Sequence, residues 1–158
     1  MIINNISIRK AKRTDLSDVF LWRNDRCSRD NFFNQEPIEF TSHAKWYQRA
    51  LVDPDMFLFI GLLESKKIGV CRFDVKEENM SAEISINLNP IFRGKNLSKI
   101  FLEKSIEKFL NINNLTLLAK IKNTNNRSEK IFEKCGFLLI KEQNNIRYYK
   151  KHGVGFGI

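Results

Sequence analysis

Apolar and polar residues alternate at the start of the chain and then take up helical spacing. ISIRK at 6–10 alternates and predicts a strand. In TDLSDVFLWRN, Leu16, Val19, Phe20 and Arg23 recur three and four residues apart, which predicts a helix with Thr14 as its N-cap. A second helix is predicted after Thr41 or Ser42, carrying Trp46, Ala50 and Leu51 until DPD at 53–55 stops it. Then the period shortens. MFLFIGLL, KIGVCRFDV and AEISINLN are apolar or alternating runs parted by charged turns, the pattern of consecutive antiparallel strands. From Leu97 the spacing is helical again, with Leu97, Ile100, Phe101, Ile106, Phe109 and Leu110 available for a buried face. LTLLAKI predicts a strand. Ser128, Ile131, Phe132 and Cys135 mark a short helix, and FLLIKEQ with IRYYKK predicts a closing hairpin around Asn144-Asn145. The order is β-α-α-β-β-β-α-β-α-β-β, an α/β arrangement. No linker, repeat or low-complexity stretch divides it, so the expectation is one domain over 1–152 followed by a short tail, 153–158, whose GVGFGI suggests no role.

Composition narrows what such a domain does. At 158 residues the chain is long enough to bury a core without staples. No apolar run reaches the roughly 18 residues of a membrane span, and MIINNISIRK lacks the apolar core of a signal peptide, so a soluble, cytoplasmic protein is expected. Cys27, Cys71 and Cys135 are odd in number and widely spaced, with no CxxC or Cys/His pairing. Reduced, mostly buried thiols and no metal are the expectation. With 27 Lys and Arg against 18 Asp and Glu, the formal charge of +9 favours an anionic partner: nucleic acid, a membrane surface, or a phosphorylated cofactor or substrate. The basic residues are interleaved with acidic ones and form no arm, zinc-finger spacing or RNP-type motif, so nothing specific supports nucleic-acid binding.

Two stretches carry candidate chemistry. NPIFRGKNLSKIF joins a strand ending near Leu88 to a helix starting near Leu97. A tight basic turn there gathers free backbone N–H groups at the positive end of a helix dipole, which suits a phosphate. Gly94 allows close backbone approach, and Arg93 and Lys95 add charge; read alone, the stretch is first of all a solvated turn feeding an amphipathic helix. The second is IKNTNNRSEKIFEKCGF at 121–137, where Asn125 is followed at +3 by Ser128, at +7 by Phe132 and at +11 and +12 by Gly136-Phe137.

That spacing resembles the GNAT superfamily of acyl-CoA N-acyltransferases, and the earlier turn resembles the family's pyrophosphate loop, Q/R-x-x-G-x-G/A. The specific part of the resemblance runs from Ala82 to Phe137. Asn96 stands where the family prefers glycine and Ser98 where it prefers glycine or alanine; Asn tolerates a left-handed backbone and Ser is small, so the cradle can still form. The resemblance implies a single GNAT-like domain. Its central sheet would be mixed and mostly antiparallel, of six to seven strands, with splayed parallel fourth and fifth strands and about four flanking helices.

It also implies roles. Acetyl-CoA would be the cosubstrate, its pantetheine arm paired with the fourth strand and the Leu88 N–H serving as oxyanion donor. Arg93, Gly94, Lys95, Asn96, Leu97 and Ser98 would hold the pyrophosphate, Asn125 and Ser128 would border the arm, and Phe132 would pack beside it. Phe132 occupies the position at which many members carry a tyrosine acid. Tyr148 or Tyr149 replaces it, water does, or the thiolate leaves unaided. Glu83, early in its strand, is the expected base and His43 its rival.

FLWRND, SHAKWY and IGVCRFD look like the branch of nucleotide-sugar amine acetyltransferases, including those of the pseudaminic acid pathway. They are also similar to N-terminal acetyltransferases of ribosomal proteins. Arg23, Asn24, His43 and Trp46 would then wall the acceptor, although Trp22 and Trp46 suit core packing between helix and sheet better. The expected acceptor is the amine of a nucleotide-linked amino sugar, with a protein α-amine or a small amine such as an aminoglycoside as alternatives. A silent acyl-CoA sensor is the alternative of another class. A monomer or homodimer with no membrane partner is expected.

Overall fold

The computed structural model describes residues 5–153. Beyond Gly153 the expected tail lies outside the described residues. Among the latter run β1 (Ile6–Lys10), α1 (Leu16–Asn24), α2 (Arg26–Asp30), α3 (Phe40–Val52), β2 (Met56–Leu63), β3 (Lys66–Lys76), β4 (Ser81–Leu88), α4 (Ser98–Ile112), β5 (Thr116–Lys122), α5 (Asn126–Lys134), β6 (Leu138–Gln143) and β7 (Ile146–Lys151). The strands form one sheet in the order β1-β2-β3-β4-β5-β7-β6, antiparallel throughout except for β4 and β5. The mixed sheet and its parallel central pair agree with the expected fold.

Alternation along the strands sends side chains to two cores. On one face Phe59, Phe73, Phe101 and Phe109 are fully buried beneath α4, and Phe73 stacks on Phe109 with centroids 4.2 Å apart. On the other, Val19, Trp22, Tyr47 and Ala50 of α1 and α3 cover Leu58, Ile60 and Val70. Gly61 lets α4 come this close, since a Cβ there would stand 2.6 Å from the Phe101 ring.

Three local expectations need correction. Thr14 does not cap α1. Asp15 is fully buried, and its carboxylate accepts the Lys12 N–H at 2.8 Å and takes Arg9 and Lys67 as ionic partners. The chain therefore makes a 3-10 turn at Arg13–Asp15 before α1 begins. The third helix starts at Phe40, ahead of Thr41. Finally, α2 was not expected; five residues carry no period, and only Asp25, accepting the Ser28 N–H at 3.0 Å, signals its start.

Candidate functional site

β4 and β5 begin as neighbours and then part. Their pairing covers only Ser81↔Thr116, Ala82↔Leu117 and Glu83↔Leu118, although β4 runs on to Leu88 and β5 to Lys122. Each strand keeps its outer neighbour, β3 or β7. The Asn89 N–H donates to the Ile68 carbonyl at 2.8 Å, toward β3; alternation therefore turns the N–H groups of Leu88 and Ile86 into the gap. An extended ligand can add to β4 there as a strand would.

The chain leaves β4 through a 3-10 turn at Pro90–Phe92 and enters a loop in which Gly94 (φ 72°) and Asn96 (φ 57°) are left-handed. A Cβ at Gly94 would meet nothing within 4 Å, so that side of the loop is open. No side chain caps α4 and its first turn holds no acid; the first backbone bond runs from the Phe101 N–H to the Leu97 carbonyl. The N–H groups of Ser98, Lys99 and Ile100 thus have no intrahelical acceptor, and the positive end of the dipole is uncompensated. Lys95 lies over Phe92, 5.4 Å from the ring centroid. Arg93 does not face this loop. It turns toward α2 and pairs with Asp25 at 2.8 Å.

Across the cleft, Asn125 caps α5. Its Oδ1 accepts the Ser128 N–H at 3.3 Å and its Nδ2 donates to the Ser128 hydroxyl at 3.0 Å. Phe132 is buried, edge-on to Phe137 with centroids 5.0 Å apart. Both expected cofactor contacts therefore also serve the helix itself.

Ala82 and Ile84 face the α4 core, so Glu83, Ser85 and Asn87 line the opposite face, toward α1–α3. Glu83 stands at the last rung before the strands part, with its Oε2 3.2 Å from the Lys120 Nζ of β5. Opposite it on β3 is Asp74, paired with Arg72 at 2.9 Å, and the Arg72 guanidinium lies 5.0 Å from the Trp46 ring centroid. Lys120 in turn faces Tyr148 on β7, which has the Lys141 ammonium 4.6 Å from its ring centroid. Trp46, Glu83 and Tyr148 are thus brought to one face of the sheet. Tyr149 is not among them; it points to the α5 side and donates to Glu133 at 3.3 Å. Arg72 and Lys120 were missed because only the assembled sheet sets Arg72 against Trp46 and Lys120 beside Glu83.

The remaining acceptor-side candidates have local partners. His43 is buried in α3 against Phe20 and Trp46, its Nε2 without a partner among the described residues. Burial, reinforced by the Arg23 charge, pushes its pKa down. Arg23 lies over Phe32, 4.1 Å from the ring centroid, and donates to the Asn34 carbonyl at 3.0 Å. Asn24 spends both amide atoms on the Ile38 backbone at 2.8 Å each. The pair clamps segment 31–38 over α1. Cys71 and Cys135 are buried, and Cys27 is exposed.

The family described as acetyltransferase (GNAT) domain matches residues 5–138. Among solved structures, a spermidine N-acetyltransferase from Vibrio cholerae in complex with CoA and spermine aligns with TM-score 0.82 at 19% identity, covering 93% of this chain and 94% of that one. A chimera of the Vibrio cholerae spermidine N-acetyltransferase SpeG with hSSAT gives TM-score 0.81 at 17% identity over 94% and 95%. A domain from Methanocaldococcus jannaschii DSM 2661 gives 0.81 at 24% identity over 93% and 97%. A comparison with curated protein sequences gave no match. Among the described residues no helix is long and apolar enough to cross a membrane.

Proposed function

The chain belongs to the acetyltransferase (GNAT) domain family, and from that premise we propose that it transfers an acetyl group from acetyl-CoA to a primary amine of a small molecule. The observation that carries this reading is the gap between β4 and β5, with the Leu88 N–H turned into it and the unpartnered amides of α4 at its mouth. Acetyl-CoA supplies an activated thioester whose carbonyl an amine attacks. Leu88 donates to the oxygen that becomes negative as the C–N bond forms, and the carbonyl re-forms as the C–S bond breaks and the thiolate leaves. The backbone of Asn96, Leu97 and Ser98, with Lys95, holds the pyrophosphate. Glu83, paired with Lys120 at the rung where the strands part, takes the proton that the attacking amine loses. Tyr148 protonates the departing thiolate from the same face, and Phe132 fills the wall behind the pantetheine arm.

Two observations bear on the acceptor. Several solved neighbours are named as spermidine N-acetyltransferases, which favours a small free amine as the acceptor here too. A second reading, a nucleotide-linked amino sugar, draws on the face that carries Glu83. There Lys120 and Lys141 flank Tyr148 and Arg72 lies against Trp46, and such cationic side chains suit a phosphate better than a polyammonium chain.

The test is thiol release from acetyl-CoA with three acceptor panels, polyamines, UDP-linked amino sugars and peptides with free N-termini, followed by product mass. Release with one panel and a mass gain of one acetyl is expected. Acetyl-CoA at a hundred times its Kd should also stabilise the fold by about 2.7 kcal/mol. Binding without release from any panel would make the protein a sensor, and calorimetry without heat on adding CoA would end the proposal.

A further inference from the structure

Helix α2 spans the mouth of the gap and is anchored at both lips. On the β5 side the Lys122 ammonium donates to the Asp30 carbonyl at 3.2 Å. On the β4 side the connection is a closed polar network. The Asp25 carboxylate accepts the Ser28 N–H at 3.0 Å, capping the helix, and pairs through the same oxygen with Arg93 Nη1 at 2.8 Å. The Ser28 hydroxyl, on a residue only 5% exposed, accepts from Arg93 Nη2 at 2.5 Å and donates to Asn87 Oδ1 at 2.9 Å. Asp25 and Arg93 are each one-quarter exposed, so their pair is shielded from the screening that makes surface pairs weak. A five-residue helix has no stability of its own, so these contacts determine where it sits.

The two residues reached from α2 bracket the proposed machinery. Asn87 immediately precedes Leu88, whose N–H is the proposed oxyanion donor, and Arg93 opens the left-handed loop. Between them Asn89 is tied to β3 through its N–H and its side-chain amide, and the chain then follows a 3-10 turn at Pro90–Phe92 that pairs with no strand.

We infer that Asp25 and Ser28 are positioning residues for acetyl transfer: Ser28 sets the Leu88 N–H through Asn87, and Asp25 sets the pyrophosphate loop through Arg93. This rests on the proposed function, because it assigns Leu88 and the loop their ligands. Neither Asp25 nor Ser28 touches the reacting atoms. They act on the placement of groups that do, where an error of about 1 Å is worth about a hundredfold in rate.

The test uses the full chain. Ser28→Ala is expected to lower kcat about tenfold or more, with the Kd for acetyl-CoA by calorimetry changed less than about threefold, and Ser28→Thr, which keeps the hydroxyl, to recover most of the rate. Asp25→Asn is expected to weaken acetyl-CoA binding about tenfold, and the cycle of Asp25→Asn with Arg93→Gln to be strongly non-additive. Circular dichroism at the assay temperature confirms that each variant is folded. A purely structural role would lower the Tm while leaving kcat and Kd of the folded enzyme unchanged, and that result overturns the inference, as does additivity in the cycle. A wild-type protein that gives no heat with acetyl-CoA sinks the proposed function and this inference together, whereas active wild type with equally active variants sinks this inference alone.

Discussion

Glu83 and Lys120 meet at the rung where β4 and β5 separate, and their chemistry follows from that position. The Glu83 side chain is one-third exposed and stands at the edge of the gap. If it is the base, Glu83→Gln lowers kcat about a hundredfold and leaves the Kd for acetyl-CoA unchanged, because the amide cannot accept the proton yet fills the same space. Steady-state kinetics with calorimetry checks this, and an unchanged kcat removes Glu83 from the reaction. At this scale the sequence was informative about backbone and poor on side-chain direction. Asn96 was expected to adopt a left-handed conformation and does, because few residues tolerate that geometry and the loop demands it. Arg93 was expected to face the phosphates and instead pairs with Asp25 and with Ser28, the latter 65 positions earlier and the former further still, which no local pattern could announce.

Among the elements, α5 shows how much a short motif can specify. It starts at the Asn125 cap and ends with Gly136 at φ 90°, where the Gly136 N–H reaches the Glu133 carbonyl and the Phe137 N–H reaches that of Phe132. The Phe132–Phe137 contact then closes a Schellman motif with its usual apolar clasp. Gly136→Ala should therefore cost about 1 kcal/mol or more in urea unfolding, since alanine dislikes that φ and its Cβ would stand 2.7 Å from the Lys151 ammonium. Destabilisation below a few tenths would show that the cap contributes nothing. The hairpin at Asn144-Asn145 was equally legible, both residues having positive φ as a two-residue turn requires. The short α2 was not legible, because its position depends on Arg93 and Lys122, which only the finished fold brings near.

At the scale of the molecule, pH stability follows from groups buried in one charge state. Burial, reinforced by Arg23, holds His43 below its ordinary pKa, so between that lowered value and about 6.5 the unfolded chain binds a proton that the folded one refuses. Stability is then complete above about pH 6.5 and falls as the pH drops toward the folded pKa. Urea midpoints taken from pH 7.5 to 5 should decline, and His43→Gln should flatten that decline; a parallel slope in the variant would rule His43 out. Asp15 adds a loss at lower pH. Burial favours its neutral form, but Arg9, Lys67 and the Lys12 N–H overcome this and hold it well below the usual carboxylate range. The arrangement of the sheet has a mechanical side as well. Strands β1 to β4 follow one another in chain order, while β5, β7 and β6 form a second set, and within the sheet the two sets are joined by three residue pairs. These two plates share a short seam there, so the core under α4 and the contacts of α2 carry the rest of the connection. A molecule wedged between them would act as mortar at the joint where the sheet's own ladder is shortest.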